Sequence, residues 1–123
     1  MTPHFNASEL VCQCGCGMLP KLASVERLER VRVRVGFPLP VTSAARCPKH
    51  NAAVSSTGEN GPHTTGCAFD LGVDGAKALM LIIAAREEGF TGIGVNQKGK
   101  ARFVHIDDLP NAPGQPRPWC WSY

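Results

Sequence analysis

Two histidines and an aspartate stand where they could act together on one ion. His63 lies in the loop "GPHTTG", seven residues before Asp70 in the apolar stretch "CAFDLGV" (67–73), and His105 interrupts "RFVHID" (102–107). Read as strands, these stretches alternate. Cys67, Phe69, Leu71 and Val73 share one face while Ala68, Asp70 and Gly72 share the other; Val104 and Ile106 oppose Phe103, His105 and Asp107. Each strand thus has an apolar side and a side bearing a ligand. Paired strands lie about 5 Å apart, so neighbouring strands would bring His63, Asp70 and His105 to one point. Two imidazoles and a carboxylate suit zinc, and three protein ligands leave a fourth position for water, as in catalytic rather than structural sites. Such an ion polarises a carbonyl and lowers the pKa of its water to about 7.

The six cysteines offer a second possibility. Cys12, Cys14 and Cys16 alternate in "VCQCGCG", whereas paired zinc thiolates usually follow C-x-x-C. The one-residue gaps favour buried thiols or disulfides that fasten the N-terminal segment, through Cys47 or Cys120, over a second metal site. No histidine or acid lies close enough in sequence to activate a thiol nucleophile.

The elements that must position these residues are legible in outline. Leu22, Val25, Leu28, Val31 and Val35 have helical spacing that ends at Gly36, although "RVRVRV" taken alone alternates like a strand. "FPLPVTSA" reads as a short strand, "RCPKHNAAV" as a short helix, and Gly75 to about Glu88 as a helix capped by Asp74. "TGIGVN" and "RFVHID" form a hairpin; "GIG" reads as tight strand packing, and the proline-rich tail as coil. The expected fold is α+β: one compact domain over residues 1–123, with a small, mostly antiparallel sheet, flanking helices and the zinc site on the sheet.

Composition narrows the function. A net charge of +3 is compatible with anionic polymers, but aromatics make up only 7% and no basic run is interleaved with them, so nucleic-acid binding is not expected. The longest apolar run, Ala78 to Ala85, is too short to span a bilayer. The start has neither the charged nor the apolar region of a secretory leader, so synthesis in the cytoplasm is expected.

"VTSAARCPKHN", "GPHTTGCAFDL", "GIGV" and "FVHID" together resemble the zinc peptidases that include D-Ala-D-Ala carboxypeptidases and phage L-alanyl-D-glutamate endopeptidases, with the hedgehog signalling domain a distant relative. The family pattern S-x-H-x-x-G-x-A-x-D, followed by a later histidine, is matched at His63, Gly66, Ala68, Asp70 and His105. Its serine is Gly61 here, and the acid that many relatives place three residues before the last histidine is Arg102. The short phage-type members carry H-x-D instead, matched by His105-Ile106-Asp107. The resemblance implies one catalytic Zn2+ held by His63, Asp70 and His105. It implies Asp107 as general base and acid, being on the face of His105 and roughly 6.6 Å along the strand. It implies Arg46 as the group that grips a substrate carboxylate or the oxyanion. The expected activity is hydrolysis of an amide in the peptidoglycan stem peptide by an endolysin-like L-alanyl-D-glutamate endopeptidase. D-Ala-D-Ala carboxypeptidase and a non-catalytic zinc-stabilised binding module are the alternatives. A monomer acting on the cell wall after release into the periplasm is expected. Trp119, Trp121 and Tyr123 could line the cleft, but closing the core with a C-terminal tail is the commoner use of such residues; His4 is assigned to a frayed terminus.

Overall fold

The computed structural model describes residues 1–123. Helix α1 (Ala7–Leu10) is a single turn fixed by a capping box, in which Asn6 accepts from the Glu9 amide and Glu9 accepts from the Asn6 amide. Helix α2 (Leu22–Val35) buries Val25, Leu28 and Val31 and stops at Gly36, whose left-handed φ of 76° suits a residue without Cβ. Within "RVRVRV", Val31 is buried and Val33 exposed. The i, i+3 stripe therefore overrides the local strand alternation. Strand β1 (Val41–Ser43) and helix α3 (Pro48–Val54) follow, then 3-10 turns at Gly58–Asn60 and Pro62–Thr65. Strand β2 (Ala68–Leu71), helix α4 (Gly75–Glu87), strands β3 (Gly92–Asn96) and β4 (Phe103–Asp107), and strand β5 (Trp119–Ser122) complete the chain.

The architecture is α+β, with strand order β1-β2-β4-β3-β5. All pairings are antiparallel except β3 with β5. One face of the sheet carries Phe69, Leu71, Val104, Ile106 and Ile93 into a core shared with Val25, Leu28 and Val31 of α2 and Ala78, Leu81 and Ala85 of α4. Phe69 meets Phe90 edge-on at 6.4 Å. Full burial of each such side chain contributes about 1.5–3 kcal/mol. Across this layer, Arg34 of α2 bonds Glu88, just beyond α4, at 2.6 Å, and Arg30 bonds it at 3.0 Å. The opposite face of the sheet is left for polar residues.

Two expectations change. The tail is not all coil, because β5 pairs with the free edge of β3 immediately after Pro118. The prolines upstream hide a strand whose own residues, Trp-Cys-Trp-Ser, are suited to a sheet. Nor does His4 lie in a frayed end, since its backbone amide and its Nδ1 both bond the Glu29 carboxylate on α2. No helix is long and apolar enough to cross a membrane.

Candidate metal centre

The strand register decides what meets on the polar face. Asp70 on β2 pairs directly with His105 on β4, which pairs in turn with Gly94 on β3, and Gly94 with Trp121 on β5. Paired residues of adjacent strands point to the same side, so alternation alone turns these side chains away from the core. His63 arrives from the 3-10 turn that Gly66 closes at a φ of 77°, bringing the chain back against β2.

His63 Nε2 lies 3.2 Å and His105 Nδ1 3.1 Å from the same oxygen, Asp70 Oδ1. All three residues are buried, and their ligand atoms lie within 4.8 Å of one another. The far nitrogen of each ring is already engaged. His63 Nδ1 donates to the Ala44 carbonyl at 2.7 Å, and His105 Nε2 donates to Asp107 Oδ2 at 2.8 Å. In a neutral imidazole the remaining nitrogen carries a lone pair. With both rings neutral, two such lone pairs and a carboxylate oxygen face one another and could hold a metal ion between them. The donor set and the outward hydrogen bonds that fix each ring match zinc ligation.

Without an ion, protons on the two imidazoles take the place of the cation: burial alone would raise the Asp70 pKa, but hydrogen bonds from His105 and His63 and their charge outweigh it, holding the group well below the carboxylate range. Burial would lower the His105 pKa, yet the carboxylates of Asp107 and Asp70 reverse the shift to an increase.

Asp107 lies against the His105 ring. Burial pushes its pKa up, but His105 and Arg117 bring it down to about 2. The side chain is fully buried and lies behind His105. Arg117 Nε and Nη2 grip its two oxygens at 2.9 Å each, and the Leu109 amide adds a longer bond to Oδ1. It is absent from the walls of the cleft over the ligand triad. Its oxygens are engaged by His105 and Arg117. Asp108 points away, accepting from Ser24 and pairing with Arg27.

The cleft has a volume of about 350 Å³, and its walls include Arg46, Thr57, Phe103, Trp121 and Tyr123 together with the triad. Arg46 is held by Ser43 Oγ at 3.0 Å and Asn51 Oδ1 at 3.1 Å, with Nη2 3.7 Å from Asp70 Oδ2. Trp121 and Tyr123 serve this cleft rather than the core. The Trp121 ring lies 5.1 Å from that of His105, and Tyr123 lies 5.0 Å from Phe103. Burial raises the Tyr123 pKa, so its phenol stays protonated. The "GIG" glycines have a specific purpose: a Cβ on Gly94 would run into the Trp121 indole and one on Gly92 into the Asp107 carboxylate. Arg117 escaped the sequence reading; its only signal was a cation set among aromatics in a proline-rich tail.

Comparison with known families gives a match to the model described as Peptidase M15, over residues 3–107. That span takes in the ligand triad, Arg46 and Asp107 but ends before Arg117 and β5. The search of curated proteins found no match.

Proposed function

Since the chain belongs to the peptidase M15 family, zinc metallopeptidases acting on peptidoglycan, we propose that it cuts the stem peptide at the L-alanyl-D-glutamate amide. The observation carrying this reading is the convergence of His63 Nε2, His105 Nδ1 and Asp70 Oδ1 beneath a cleft walled by a single guanidinium and three aromatic rings. These three atoms would hold the ion. Zinc, when bound, supplies a Lewis acid for the scissile carbonyl and a water of lowered pKa.

The chain's own residues do the rest. Arg46, clamped through Ser43 and Asn51, presents its remaining donors to the carboxylate beside the scissile amide and to the developing oxyanion. Phe103, Trp121 and Tyr123 provide flat apolar walls for the stem peptide, and the protonated Tyr123 phenol is a hydrogen-bond donor at the cleft. Asp107 acts as a positioning residue, fixing the His105 tautomer so that Nδ1 faces inward. The resemblance to short phage proteins supports an endolysin-like enzyme that reaches the wall after release from the cell.

Incubating the purified chain with peptidoglycan, with and without chelator, tests the proposal. Chelator-sensitive release of fragments with a new amino-terminal glutamate supports it. Free D-alanine as the product would make the chain a carboxypeptidase, and no release would leave a binding module.

A further inference from the structure

A second cluster of ligands lies outside the cleft. Cys12, Cys14 and Cys16 come from the N-terminal segment and Cys47 from the start of α3, and their four sulfur atoms lie within 4.8 Å of one another. The separation is 3.5 Å from Cys12 Sγ to Cys14 Sγ and 3.6 Å from Cys14 Sγ to Cys47 Sγ. A disulfide needs about 2.05 Å, and all six cysteines are free. Four sulfurs arranged tetrahedrally about a zinc ion, with bonds of about 2.3 Å, would stand about 3.8 Å apart. The observed spacings lie near that edge length.

The backbone is shaped for the same purpose. Alternate cysteines on a strand would all project to one side in a row some 6–7 Å apart. Here the chain does not run as a strand: Gly15 and Gly17 take left-handed φ values of 86° and 87°, the Gly15 amide bonds the Cys12 carbonyl, and the Cys12 amide bonds the Met18 carbonyl. These turns fold the three sulfurs inward despite their one-residue gaps. Nothing lies within 4 Å of a Cβ at either glycine, so the backbone angle rather than space demands glycine there. Amide groups also point at the sulfurs, from Cys47 to Cys12 Sγ at 3.3 Å and from His50 to Cys47 Sγ at 3.4 Å. Such bonds favour thiolate ligands.

We infer that Cys12, Cys14, Cys16 and Cys47 form a closed tetrathiolate zinc site, structural rather than catalytic. It pins the N-terminal segment to the residue next to Arg46 and to the first turn of α3, the helix whose Asn51 holds the Arg46 guanidinium. The site is separate from the histidine–aspartate centre, and Cys120, on β5, takes no part in it.

The test uses the full chain, purified under reducing conditions and loaded with zinc or with cobalt(II). Native mass spectrometry is expected to find about two zinc ions per chain. His63→Ala is expected to keep one, and Cys14→Ser to lose the other while retaining the ion of the histidine–aspartate centre. Cobalt loading of His63→Ala is expected to show intense sulfur-to-metal charge-transfer absorption, which Cys14→Ser should lack. Cys14 is exposed and outside every helix and strand, so its serine variant should fold; if it does not, the cobalt spectrum of His63→Ala carries the test alone. A Cys14→Ser chain that binds as many ions as wild type, or a cobalt spectrum of His63→Ala without thiolate charge transfer, would overturn the inference. A mass two hydrogens lighter per cysteine pair under reducing conditions would also overturn it.

Discussion

Arg117 holds Asp107 in a two-pronged grip, Nε to Oδ1 and Nη2 to Oδ2 at 2.9 Å each, and Asp107 in turn holds His105 Nε2 at 2.8 Å. The guanidinium also lies over the Trp121 ring, 5.2 Å from its centre. A residue from the tail thus sets the orientation of a ligand on β4. The pair is fully desolvated at the carboxylate, so removing one partner strands a buried charge.

Asp107→Ala is expected to weaken zinc binding at the histidine–aspartate centre by about 10–100-fold and to destabilise the fold by about 3–5 kcal/mol. Competition with a chromophoric chelator and denaturant unfolding measure the two effects. Unchanged zinc affinity with complete loss of hydrolysis would return Asp107 to the role of general base.

Arg46→Ala should lower kcat/KM by about 10²–10³-fold, the effect of losing one preorganised donor to developing charge, with zinc content at the triad unchanged. Arg46→Lys should recover little of this, because an ammonium cannot reproduce the fork held by Ser43 and Asn51. Steady-state kinetics on a soluble stem peptide, paired with metal analysis, decides it. Full activity in either variant would remove Arg46 from the mechanism.

Gly94→Ala would drive a methyl group into the Trp121 indole. The expected outcome is a loss of about 1–3 kcal/mol, typical of overpacking, with weaker substrate binding as Trp121 is displaced from the cleft. Thermal unfolding and KM report these separately. A stability equal to that of wild type would show that β5 does not stay on β3 in solution.

Removing the ion from the triad leaves Asp70 among imidazole nitrogens with no cation to join them. Chelation should abolish hydrolysis, and added zinc should restore it. Because zinc binds the folded chain, free zinc at a hundred times the Kd of the histidine–aspartate centre should stabilise it by about 2.7 kcal/mol through that site alone. Calorimetric scans at graded zinc concentrations measure this, and a melting temperature indifferent to zinc would contradict it.

Much of the site was legible because strand alternation is local. Asp70, His105 and Asp107 could be placed on one face from the apolar residues between them, and helix α2 could be told from a strand because its stripe of valines and leucines outlasts "RVRVRV". The glycines at 92 and 94 could be read as a place of close packing, though not as the seats of Asp107 and Trp121. Alternation says which side a residue takes; it says nothing about which atom it meets there.

By itself the sequence determined the donor types, their faces, the α+β order of elements and the family motif that links them. Those properties reside in spacings of two to seven residues. The tertiary structure alone decided that His63 presents Nε2 and His105 presents Nδ1, that Asp107 stands behind His105 in the grip of Arg117, and that Trp121 and Tyr123 are brought back by β5 to the cleft. It alone brought Cys47 to three cysteines whose spacing had argued against a shared ion. The reason is physical: each of these relations joins residues from separate segments across turns and loops. Such meetings are set by sheet register and turn geometry, which no periodicity along the chain records.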